Sequence, residues 1–147
     1  SMFLHGGFMH LAGNMLYLWI FGDNIEDRLG AVPFVLFYLF CGLVAAFAQA
    51  IPDMQSPVPM IGASGAVSGV LGAYMVRYPR APVTVLIPFF VFFTIRVPAL
   101  IVLGLWFGGQ LLSSSLAGSG AGIAFRAHVG GFIAGAAVFL LRGKKSR

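Results

Sequence analysis

The 147 residues are 59% hydrophobic and only 9% charged, with a mean hydropathy of +0.95, where soluble domains carry about 25% charged side chains. A chain of this size buries too little surface to hide that apolar excess in its own core, which excludes a water-soluble domain and requires lipid to cover the remainder. The formal charge of +5 and pI near 10.0 do not indicate nucleic acid, because the basic residues lie at the ends of apolar runs and not on one patch.

Cys41 is the single cysteine and sits inside an apolar run. There is accordingly no disulfide framework and no Cys/His metal signature, and no cofactor or metal is expected. Ser1 enters a dense motif within a few residues, without a signal peptide, so the chain is read as part of a longer one with sequence upstream.

In chain order, residues 8–21 are apolar apart from His10 and Asn14, a first helical span slightly short of the ~20 residues that cross a bilayer. His10 and Asn14 are four apart and share a helical face, while His5 lies in the entry segment. The polar set Asp23, Asn24, Glu26, Asp27 and Arg28 bounds this span; Glu26, Arg28 and Gly30 are expected to form a turn, with Gly30 as helix C-terminal residue. Residues 32–51 are a second span, stopped by Pro52 and Asp53, with nothing in it that suggests chemistry.

Residues 54–63 contain Pro57 and Pro59 and read as a loop; residues 64–78 then form a third, short helix ended by Pro79. At ~1.5 Å per residue this helix cannot cover the ~30 Å hydrocarbon core. Arg77 and Arg80 hold its C-terminal end at an interface, so the submerged end carries Ser64. Pro82, Pro88 and Pro98 interrupt residues 81–97, a stretch rich in Val, Ile and Phe that includes Arg96, and an interfacial or re-entrant segment is expected there. Residues 98–112 are a fourth span, residues 113–126 a loop of Ser, Gly and Ala, and residues 127–141 the last span before Arg142, Lys144, Lys145 and Arg147.

Positive charges near span ends orient the chain. With the basic tail in the cytoplasm, Arg28, Arg77, Arg80 and Arg96 fall on the same side and Arg126 alone lies outside. Five spans then leave Ser1 outside, which one missing upstream helix would explain. This reading is a polytopic, all-α transmembrane bundle forming one domain over residues 1–147, in a bacterial inner membrane.

Ser64 and His128 open two helices that run in the same direction, so they lie at similar depth. Ser64, Ser68 and Gly72 form one row of small residues on the serine helix, with Gly65 and Gly69 as a second row; the histidine helix offers Ala127, Gly131 and Gly135. Small residues four apart let membrane helices approach closely, and that packing is expected to bring His128 to the Ser64 hydroxyl.

A serine nucleophile needs a base and oxyanion donors. His128 suits the first task. His10, Asn14 and the backbone amide of Ser64, the last at the positive end of a helix dipole, suit the second. The acids do not complete a triad: Asp23, Glu26 and Asp27 lie at the cytoplasmic end and Asp53 in an outer loop. A Ser64–His128 dyad is the simpler reading. The Gly-x-Ser-x-Gly elbow is not met, since Ala66 holds its last position and no strand precedes the serine.

Taken singly, Ser64 and Ser68 read as small packing residues, His5 and His10 as interfacial groups, and Asn14 as interhelical polar glue. Several such groups converging at one depth read instead as function, because polar groups are costly in a bilayer.

Phe3-Leu4-His5, His10 with Asn14, Glu26-Asp27-Arg28-Leu29-Gly30, Gly62-Ala63-Ser64-Gly65 and Ala127-His128-Val129-Gly130-Gly131 together resemble the rhomboid family of intramembrane serine proteases, in order over nearly the whole chain. The resemblance implies Ser64 as nucleophile, His128 as general base, His10 and Asn14 as side-chain oxyanion donors, and cleavage of transmembrane protein substrates near their outer ends. It also implies a cap formed by residues 113–126, and substrate entry beside the span that holds Trp106 and Phe107. Two features depart from the family pattern. The family's first span and the Trp-Arg segment before the His-rich motif are absent, and Ser68 stands where some members place an aromatic that stacks on the histidine.

Two other functions compete. A non-catalytic protein of the same fold would bind client transmembrane helices without cutting them, but binding alone needs neither nucleophile nor base. A transporter or channel would require repeat symmetry between halves, which the sequence lacks.

Overall fold

The computed structural model describes residues 2–51, 54, 62–89, 91–116 and 125–143. Five helices and one hairpin follow in the order α1 (Phe8–Leu29), α2 (Ala31–Ala50), α3 (Ser64–Arg77), β1 (Pro82–Phe89), β2 (Val91–Pro98), α4 (Ala99–Leu116) and α5 (Phe125–Leu141). The helical bundle agrees with the expected architecture, and the five helices fall on the five expected spans. By length and composition α2 is the one helix among the described residues that is long and apolar enough to cross a membrane.

α1 runs eight residues past its apolar stretch, through the charged segment expected to turn. Its periodicity explains this: Phe21 and Ile25 are buried in the core and Leu29 packs against it, so the acids occupy the other face of a continuing helix. Gly30, at φ 84°, then reverses the chain into α2, in a left-handed conformation that favours glycine.

Where an interfacial or re-entrant segment was expected, the described residues form two strands, β1 and β2. β1 and β2 pair antiparallel, with Val83 opposite Val97, Val85 opposite Ile95 and Ile87 opposite Phe93. The β-branched residues suit a pleated strand. The Ala99 N–H donates to the Ala81 carbonyl at 2.9 Å and the Leu100 N–H to that of Pro79, also at 2.9 Å, so the hairpin is clamped at the point where it feeds α4.

The centre is a three-helix seam of small residues. A Cβ on Gly131 would strike the Gly65 carbonyl, one on Gly135 the Gly69 backbone, and one on Gly72 the Phe132 carbonyl. α3 and α5 therefore run parallel with their backbones touching. α2 descends the groove between them, with Cys41 against Gly69, Ala45 against Gly65 and Ala48 against Gly130. Without water inside a membrane, such close contact and the dispersion it permits hold helices together.

Below this seam Phe21, Phe37, Val70, Leu71, Phe132 and Phe139 close the core, with Phe21 edge-on to Tyr74 at 5.0 Å and Phe37 edge-on to Phe139 at 5.8 Å. Large apolar residues cover the outside, among them Trp19, Leu36, Leu105 and Leu140. Such an apolar surface is suited to lipid.

Candidate active site

Ser64 is the first residue of α3, and Ala63 precedes it as an N-cap with no side-chain bond. The first helical hydrogen bond runs from the Val67 N–H to the Ala63 carbonyl at 3.0 Å, so the Ser64 N–H lies ahead of the helical ladder. His128 sits in the first turn of α5. The Gly65–Gly131 contact fixes the depth of one helix against the other, and it leaves the Ser64 Oγ 2.8 Å from His128 Nε2. Both residues are half-buried, so the pair is reachable from outside the core.

The other imidazole nitrogen, Nδ1, is 2.7 Å from Gln110 Oε1 on α4. A carbonyl oxygen can only accept. Nδ1 therefore donates, and Nε2 is left with its lone pair toward the serine hydroxyl. Sequence reasoning missed Gln110; the available signal was its position one turn after Trp106, which also faces His128 at a ring distance of 6.0 Å. Gln49 on α2 was missed as well. Its Oε1 accepts from the Ala127 N–H at 3.3 Å, satisfying one of the orphan donors that open α5.

His10 and Asn14 meet the serine turn through Gly62. A Cβ added to Gly62 would lie 2.7 Å from His10 Cε1, 2.8 Å from His10 Nε2 and 3.7 Å from Asn14 Nδ2, and its φ of 105° independently favours glycine. The Gly6 N–H donates to His10 Nδ1 at 3.4 Å, so in the neutral ring Nε2 carries the proton and points a donor at the turn. Asn14 is only 7% exposed, and its Nδ2 has no hydrogen-bond partner among the described residues. A buried donor without a partner is costly; here it borders the same turn as Ser64. His5 stands edge-on to His10 at 5.2 Å, outside this cluster.

The hydrogen bonds of the imidazole go to Ser64 and Gln110 and not to Ser68. The Ser68 hydroxyl donates to the Ser64 carbonyl at 2.6 Å, within α3, and the aromatic beside His128 is Trp106 from α4. Of the segment expected to cap the site, residues 113–116 belong to α4, residues 125 and 126 to α5, and residues 117–124 lie outside the described residues, as do Asp53, Pro57 and Pro59.

A family description, Rhomboid domain, matches residues 1–145. The chain is 33% identical over 146 residues to Rhomboid protein 1, mitochondrial, of Saccharomyces cerevisiae, covering 92% of this chain and 38% of that protein. It is 43% identical over 72 residues to Rhomboid protease GluP of Bacillus subtilis, covering 49% of this chain and 14% of that protein. With RHOMBOID-like protein 5 of Arabidopsis thaliana it shares 36% identity over 74 residues, covering 50% of this chain and 24% of that protein. The chain thus spans less than two fifths of the length of these relatives. A family match over nearly the whole chain, on a bundle whose outer face is apolar, identifies this protein as a member of the rhomboid family and as a helical integral membrane protein.

Proposed function

We propose that this chain is the peptidase domain of an intramembrane serine endopeptidase, with Ser64 as nucleophile and His128 as general base. The observation that carries the reading is the 2.8 Å approach of Ser64 Oγ to His128 Nε2. In the reaction Ser64 Oγ attacks the scissile carbonyl carbon while its proton passes to His128 Nε2. The carbonyl oxygen becomes an oxyanion, for which the Ser64 N–H, His10 Nε2–H and Asn14 Nδ2–H are the donors. His128 then gives the proton to the departing amine. A water molecule, deprotonated in turn by His128, releases the acyl group from Ser64.

Two features make the site suited to substrates that arrive through the bilayer. α3 is 14 residues long, about 21 Å at the helical rise, so Ser64 lies below the membrane surface if Arg77 is at the opposite one. Hydrolysis consumes water, which in this reading reaches the submerged Ser64 from the outer side. With Arg28, Arg77, Arg80 and Arg142 taken as the cytoplasmic end by the positive-inside tendency, the substrates are transmembrane proteins cut near their outer ends.

The test is cleavage of a single-span substrate reconstituted with the chain in liposomes. Cleavage that disappears in Ser64→Ala and in His128→Ala is the expected result. Binding of the substrate helix without any cleavage, by a folded protein, would instead identify a rhomboid relative that holds client helices.

A further inference from the structure

We infer that Gln110 is a positioning residue for His128, so that α4 completes the site and the Ser64–His128 dyad is held in its working tautomer by the Gln110 amide. This rests on the peptidase reading above and adds to it the group that sets the tautomer of the base.

Three contacts place α4 for this task. Phe107 stacks on Phe132 with ring centroids 4.3 Å apart and planes at 19°. Trp106 lies 5.9 Å from Phe132 and 6.0 Å from His128. Gln110 Oε1 then reaches His128 Nδ1 at 2.7 Å. Residues 106 and 110 are one turn apart on α4, as residues 128 and 132 are on α5, so each pair shares a helical face. The aromatic contacts fix the register of those faces, and the amide falls on the imidazole as a result.

A neutral imidazole has two tautomers of similar energy, and only the one protonated on Nδ1 can accept the serine proton at Nε2. The nitrogen that carries the proton is decided by the hydrogen bond the other nitrogen makes. Gln110 offers an acceptor at Nδ1 with no negative charge. It therefore selects the useful tautomer as a carboxylate would, but stabilises the imidazolium formed during attack only through the amide dipole. Among the described residues no acid reaches His128; Gln110 is the side chain that takes that place. The opposite amide orientation, with the NH2 toward Nδ1, would force the proton onto Nε2 and make the serine oxygen the acceptor.

The experiment uses the whole chain in detergent micelles, with 15N-histidine and the His128 signals identified by their loss in His128→Gln. Wild type is expected to show Nδ1 as the protonated nitrogen. Gln110→Met should give a mixture of tautomers and slow fluorophosphonate labelling of Ser64 by about tenfold or more, as partial loss of general-base catalysis requires. Gln110→Glu keeps an acceptor oxygen; it should restore the Nδ1–H tautomer and move the midpoint of the labelling rate to higher pH, because a carboxylate favours imidazolium.

A merely structural glutamine would move neither the tautomer nor that midpoint. Unchanged tautomer and labelling in Gln110→Met, or equal losses in both variants with no midpoint shift, would overturn the inference. A wild type that shows the Nδ1–H tautomer but never labels at Ser64 would overturn the peptidase reading instead, and would support the hold of Gln110 on the ring.

Discussion

Gly131 packs face to face with Gly65: a single added Cβ on the former would enter the carbonyl of the latter. The obstructing atom is backbone in a helix, so it cannot swing aside as a side chain would. The same contact sets the depth at which Ser64 meets His128, one turn or less away on each helix. Stability and site geometry therefore depend on one interface.

Gly131→Ala should destabilise the bundle by about 1–3 kcal/mol, the usual cost of overpacking, and should lower the reactivity of Ser64 with it. Gly108→Ala on α4, where among the described residues nothing lies within 4 Å of the new Cβ, should leave stability unchanged or raise it by up to about 1 kcal/mol. Reversible unfolding in mixed micelles measures both. Equal effects in the two variants would mean that the α3–α5 approach is not what holds the bundle.

Much of this was legible in the sequence because small residues four apart report directly on backbone proximity. Gly65 and Gly69 on one helix and Ala127, Gly131 and Gly135 on the other pointed to both partners, and the order of the spans gave their relative direction. The match of Gly65 to Gly131 is a register that neither pattern fixes. Other features carried no such signal. Gln110 and Gln49 are single polar residues in apolar spans, and their contacts join residues 18 and 78 positions apart, which no local pattern encodes. The hairpin was obscured by Pro82, Pro88 and Pro98, although the alternating half-buried Val83, Val85 and Ile87 are a period of two. In α1 the charged run from Asp23 to Arg28 interleaves with Phe21, Ile25 and Leu29, whose spacing of four continues the helix on its buried face.

Asn14 separates stability from function. Because its Nδ2 is buried without a partner, Asn14→Ala should leave thermal stability unchanged or raise it, while turnover falls about 100-fold or more, the usual loss for one oxyanion donor. Tm and kcat measured on the same preparation decide this. A large drop in Tm with normal turnover per folded molecule would make Asn14 a structural residue.

Gly62→Ala meets two obstacles at once, a positive φ and the His10 ring. Backbone strain of this kind costs about 1–3 kcal/mol, and relief requires His10 to move away from the serine turn. Turnover should fall together with stability, and a second change, His10→Ala, should recover part of the stability but none of the turnover. Full recovery of turnover in the double variant would remove His10 from the site.

Ser68 is buried, and its hydroxyl donates to the Ser64 carbonyl in its own helix. Ser68→Ala should therefore change stability by less than about 1 kcal/mol and leave turnover near wild type. Trp106→Ala removes the aromatic beside His128 and should slow turnover by itself. Assay of the two variants side by side shows which helix steadies the imidazole; the opposite ranking would return that task to α3.

Activation of Ser64 by His128 is read out by mass spectrometry of the fluorophosphonate adduct. The wild-type chain in liposomes should carry one adduct, on Ser64, with none in Ser64→Ala and labelling slowed by about 100-fold or more in His128→Ala, the scale of a lost general base. Labelling that persists in Ser64→Ala, or that is indifferent to His128, would contradict it.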